Sequence, residues 1–214
     1  MNFAADETCK RCGAELGEAQ ETNAADYGAM DEGEKSHSVI KRVLVTSSVI
    51  VALLFAFYVS LLVTSDPVSF EQKQTIHRAI KVLEEKGFAG EAFVLNNLVN
   101  YRATDNWWNR YVGHSDAYAA TNFPFEVVTL YPDFFNVPVD DVERAMVLLH
   151  ESQHLRGKGE QAAFGAVWRD KARLGWTQEK YGSTRAWNNV REFTANYAPE
   201  LFRCGLDAQT DCAR

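Results

Sequence analysis

The chain is predicted to fold as a small α+β domain behind a single membrane-spanning helix, and three observations predict it. Residues 43–64 form an apolar run without charge, Pro or Gly, and at about 1.5 Å per residue such a helix crosses the hydrocarbon core. Residues 125–131 are dense in β-branched and aromatic side chains and stop at Pro132, as a strand does. Apolar positions then recur at helical spacing over residues 140–154, 160–174 and 184–197.

Residues 1–42 are rich in Ala, Glu, Asp and Gly without hydrophobic periodicity, a composition that cannot bury enough apolar surface to order itself. This tail holds most of the acidity. Nine acidic against three basic residues lie within 1–40, in a chain whose net charge is −7. No basic patch interleaved with aromatics follows, which argues against nucleic-acid binding. Within the tail, Cys9-Lys10-Arg11-Cys12-Gly13-Ala14-Glu15-Leu16 resembles one knuckle of a zinc ribbon. The resemblance implies a zinc at Cys9 and Cys12, but a tetrahedral site needs four ligands and no second C-x-x-C follows, so three accounts compete: a knuckle completed by a second copy of the chain, a degenerate remnant, or a chance pair of thiols.

Residues 43–64 are the predicted span, and its flanks set an expected orientation. Lys35, Lys41 and Arg42 precede it, whereas no cation follows until Lys73. The positive-inside rule then keeps the N-terminus in the cytoplasm and exports residues 65–214. Cysteine usage agrees: C-x-x-C suits the reducing side, and Cys204 with Cys212 suits a disulfide outside.

Beyond the span, Asp66-Pro67 reads as a helix start, with Phe70, Ile76, Ala79, Ile80 and Leu83 as its stripe and Gly87 as its stop. Residues 91–101 are ambiguous between helix and strand. Residues 104–122, with Trp107, Trp108, Tyr111, His114 and Tyr118, show no clean period and read as a loop or short elements shaping a cleft. The strand at 125–131 precedes a helix that Asp140 or Asp141 can cap, with Val142, Ala145, Met146 and Leu149 as its buried stripe. A strand beside such a helix offers an edge to which an extended peptide can add. Gly175 and Pro199 lie just past the two later helices.

The helix after the strand carries His150-Glu151-Ser152-Gln153-His154. Positions four apart share a helix face, so both imidazoles can meet one ion while Glu151 reaches a water on it. A catalytic site needs a third protein ligand and an open position. Leu155-Arg156-Gly157-Lys158-Gly159-Glu160 supplies a carboxylate after one tight turn.

H-E-x-x-H resembles the zincin metallopeptidases. The extension H-x-x-G-x-x-E looks like the metzincin pattern with Glu160 in place of the last histidine, yet that group also needs a methionine turn, and no Met follows Met146. Glu192-Phe193-Thr194-Ala195-Asn196 looks like the gluzincin E-x-x-A-D, with Asn196 replacing the Asp. The resemblance implies Zn²⁺ held by His150, His154 and Glu160, with Glu192 as the alternative ligand. It also implies Glu151 as the base that activates a zinc-bound water against a peptide carbonyl. His114, Tyr181 and Tyr197 are the candidates for a further donor to the oxyanion. The expected substrate is a polypeptide or a peptide cross-link near the membrane surface. The competing expectations are an inactive zincin-like domain that binds a partner, and a membrane tether whose working part is the knuckle.

Overall fold

The structure, a computed structural model, describes residues 32–113, 118–204 and 211–212. Cys9, Cys12 and His114 lie outside the described residues. Helix α1 runs Glu32–Val63, and within it Val39–Val63 is a stretch of 25 residues long and apolar enough to cross a membrane. The chain separates into two compact units, Met1–Ala52 and Leu53–Arg214, with the division inside α1. In the first unit every side chain from Val39 to Ala52 is exposed.

The second unit is mostly helical with a three-stranded sheet. Helix α2 (Phe70–Glu85) starts later than Asp66-Pro67. Ser69 is its N-cap, in a capping box with Gln72. That box satisfies two first-turn donors reciprocally, while Asp66 and Pro67 are engaged elsewhere, pairing with Ala103 and Arg102. Gly87, at φ 84°, follows the C-cap, as expected for a stop.

The ambiguous stretch at 91–101 divides between both forms: α3 (Ala89–Asn97) and strand β1 (Asn100–Arg102). The aperiodic stretch contains α4 (Trp107–Val112) and β2 (Ala119–Asn122). The strand expected at 125–131 is β3 (Val127–Leu130), but it is not an edge. The sheet order is β1-β3-β2, with β1 parallel and β2 antiparallel to β3. All four β3 residues are buried, which is why three are Val or Leu, while the fourth, Thr129, has its hydroxyl paired with Asn109. The edge beside the candidate site is β2.

Short α5 (Pro132–Asn136) leads into α6 (Asp141–His154). Asp140 caps α6, accepting from the backbone N–H of Val142 and Glu143; such a cap stabilises a helix by about 1 kcal/mol. Ala145, Met146, Leu148 and Leu149 are buried. Buried Glu143 anchors the same end through Val139 N–H, the Trp176 indole and the Thr184 hydroxyl. Then come α7 (Glu160–Leu174), α8 (Gln178–Tyr181) and α9 (Arg185–Tyr197). Behind them Trp168, Trp176 and Trp187 form a buried ring cluster with centroids 4.5–6.0 Å apart. A disulfide joins Cys204 to Cys212.

Candidate metal centre

The centre begins with spacing. His150 and His154 sit on one face of α6 with their Nε2 atoms 3.0 Å apart. Helix α6 ends at His154, and Gly157 reverses the chain at φ 71°. This is a left-handed conformation open to glycine at no steric cost. A side chain there would also press on the Phe123 ring at 3.3 Å. The turn starts α7 with Glu160 in its first turn, where a carboxylate also favours the helix dipole. The Glu160 oxygens lie 3.3 Å from His150 Nε2 and 3.5 Å from His154 Nε2. Among the described residues, His150, His154 and Glu160 are the one group of three or more His, Cys, Asp or Glu side chains that can hold an ion, with ligand atoms within 4.8 Å of one another.

The chemistry of these donors fits zinc. The Lys158 carbonyl lies 2.8 Å from His154 Nδ1, and a carbonyl only accepts, so Nδ1 carries the hydrogen. In the neutral ring Nε2 is then a lone pair aimed at its neighbours. Two imidazole nitrogens and a carboxylate converging this closely need a cation between them, either a proton or a metal. Nitrogens on a tetrahedral zinc at ~2.0–2.1 Å stand roughly 3.3 Å apart, near the separation observed. Electrostatics tell the same story. Burial alone would lower the pKa of His154, but the bond to Glu160, the charge of Glu151 and the Lys158 carbonyl outweigh it and push the value up to about 9. Hydrogen bonds from His150 and His154 hold Glu160 far below the usual carboxylate range.

Glu151 is 4% exposed and reaches the same cavity, of about 300 Å³. Its Oε2 accepts a hydrogen bond of 2.6 Å from the Thr121 hydroxyl on β2. Ala119, Ala120 and Thr121 of β2 line one wall of that cavity, and Phe164, Phe193 and Tyr197 line another. The Phe164 ring lies 4.3 Å from that of His150 and stacks on Tyr197 within 7° of parallel. That contact fixes the plane of the His150 imidazole.

The remaining predicted residues divide. Glu192 is exposed on α9 and stands outside the three-residue group. Tyr181 is buried away from the cavity, donating to Asp140 at the cap of α6. Tyr197 does line the cavity, as does Tyr118, whose hydroxyl accepts from Asn189. Burial pushes the Tyr118 phenol up, so it remains a protonated donor.

Sequence reasoning missed Thr121 and Phe164 as parts of the site. Phe164 was findable, since it follows Glu160 by one helical turn. Thr121 was not, because nothing local links it to Glu151. No family model, no curated protein and no solved structure matches this chain.

Proposed function

We propose that the chain is a zinc-dependent metallopeptidase held to a membrane by α1, with residues 65–214 outside the cytoplasm. One observation carries the enzymatic part: two histidine Nε2 atoms and a carboxylate converge beside a buried glutamate on the wall of an open cavity. His150, His154 and Glu160 would hold the ion. Zinc in such a set supplies Lewis acidity, which makes water nucleophilic near neutral pH and polarises a carbonyl.

The chain's own residues do the rest. Glu151 takes a proton from the attacking water and returns it to the leaving amine. Thr121 fixes which way that carboxylate points. The Lys158 carbonyl fixes the His154 tautomer, and Phe164 fixes the His150 ring. Tyr118 or Tyr197 donates to the developing oxyanion. An extended polypeptide adds to the outer edge of β2, whose other edge is taken by β3.

The topology is supported separately. An apolar helix with exposed side chains on every face suits lipid rather than a protein core. Lys35, Lys41 and Arg42 before it favour a cytoplasmic N-terminus, and the Cys204–Cys212 bond suits an oxidising compartment.

The decisive experiment compares the wild-type chain with Glu151→Gln, both loaded with zinc, on a peptide library. The variant should keep one equivalent of metal and lose about 10²–10⁴-fold in turnover. Cleavage at the wild-type rate in Glu151→Gln refutes the peptidase reading. Bound zinc with no turnover in either protein favours an inactive binding module instead.

A further inference from the structure

The candidate site absorbs none of the aromatic residues at the start of the domain. Trp107, Trp108 and Tyr111 sit on α4, 38%, 39% and 80% exposed, with Val112 beside them at 51%. Water-exposed rings in such density are unusual on a soluble surface and mark an interaction site. Their neighbours say which kind. The rings pack on the last turns of α1: Phe57 meets Trp107 at 5.5 Å, Trp108 at 6.0 Å and Phe125 at 5.1 Å. The Trp107 indole donates to Ser60 Oγ at 2.9 Å.

Two arginines finish the same end. Arg102 donates to the carbonyls of Leu62 and Ser65, and Arg110 to that of Thr64. Leu62 lies in the last turn of α1, and Thr64 and Ser65 follow its end at Val63, where guanidinium groups satisfy orphan acceptors and oppose the dipole. The level at which the span ends therefore carries indoles, a phenol and cations together. That mixture is the chemistry of the lipid headgroup region, where an amphipathic ring has its apolar body in acyl chains and its polar edge in water.

We propose that α4, with Phe125, is an interfacial foot that inserts Trp107, Trp108 and Tyr111 into the headgroup region of the leaflet on the domain's side. The inference rests on the membrane reading of α1. It goes further, because the foot is wired to the candidate site. Asn106 donates to Asn122, Asn122 to Asn109, and Asn109 to Thr129, at 2.8, 2.7 and 3.1 Å. Asn106, Asn109, Asn122 and Thr129 are all at most 8% exposed, so this amide chain is a stiff link from α4 to β2 and β3. Anchoring α4 in lipid thus fixes the level of β2, and a polypeptide adding to that strand lies close to the bilayer. The substrate class that fits is an extended segment immediately next to a membrane.

The test uses the full chain reconstituted in phosphatidylcholine vesicles whose acyl chains are brominated near the glycerol, with unbrominated vesicles as reference. Bromine quenches tryptophan by contact. Of the five tryptophans, Trp168, Trp176 and Trp187 are no more than 2% exposed and cannot report it. Brominated lipid should remove up to about two-fifths of the emission, the share of Trp107 and Trp108 among five. Trp107→Phe/Trp108→Phe should abolish that drop while the circular dichroism spectrum stays unchanged. An inserted chain whose quenching is absent, or is the same in the double variant, overturns the foot and leaves the span standing. Full extraction by alkaline carbonate removes the span and the foot together.

Discussion

The two walls of the candidate cavity are built differently. The helical wall concentrates charge: His150, Glu151 and His154 come from α6 and Glu160 from α7, joined by one turn at Gly157. The strand wall carries no charge where it meets them, only Ala119, Ala120 and the hydroxyl of Thr121. One wall places its groups by local geometry, with every candidate ligand inside eleven consecutive residues. The other is placed through long-range pairs: β2 on β3, and the Asn106–Asn122–Asn109 amides beneath it. Substitutions of His150, His154 or Glu160 should therefore act on the metal, and those of Glu151 or of the strand wall that holds it on the reaction alone.

The sharpest separation comes from the carboxylates. Glu160→Ala removes a carboxylate whose two oxygens sit 3.3 Å from His150 and 3.5 Å from His154, and zinc affinity should fall by more than about 100-fold, since even outer-shell partners of a metal site account for ~10–100-fold. Glu192→Ala, at an exposed position, should leave affinity unchanged. Competition titration against a chromophoric chelator measures both. Equal losses in the two variants would erase the distinction between first-turn and distant ligands.

This difference between the walls also explains what the sequence alone could disclose. Caps, breaks and apolar spacing mark α6, α7 and α9 because each depends on neighbours within a turn: Asp140 on Val142 and Glu143, Gly175 on the end of α7. Residues 104–122 show no period because they form a six-residue helix and a four-residue strand, both too short for one to register. Their buried Asn106, Asn109 and Asn122 look like loop residues until the fold pairs them with one another. β3 was recognisable as a strand but not as a central one, since a short apolar run does not say which edges are paired. The Asp66-Pro67 signal was locally sound and lost to the capping box at Ser69 and Gln72.

On the strand wall, Thr121→Val keeps the shape and removes the hydrogen bond to Glu151. Hydrogen bonds to a charged group contribute ~1.5–3 kcal/mol, so kcat should fall by roughly 10- to 100-fold while zinc stoichiometry is unchanged. Thr121→Ser restores the hydroxyl and should recover most of the rate. Loss of metal in Thr121→Val would show that the two walls are not independent.

The smallest effect is one of stability, and it asks whether a proton and a metal compete for the same place. In metal-free protein the His154 pKa is raised to about 9, above the ~6.5 of an unfolded histidine. A raised folded-state pKa means that the folded chain binds the proton more tightly. Its contribution is therefore fully present below about 6.5 and is lost as pH rises through about 9. Thermal unfolding of the metal-free chain should show a falling midpoint across that window. Zinc-loaded protein should not follow it, because a ring that ligates metal through Nε2 has no proton there to lose. His154→Gln should flatten the metal-free profile. A falling midpoint that persists in that variant assigns the titration to another group, and removes the case that the helical wall holds a cation at this point in both states.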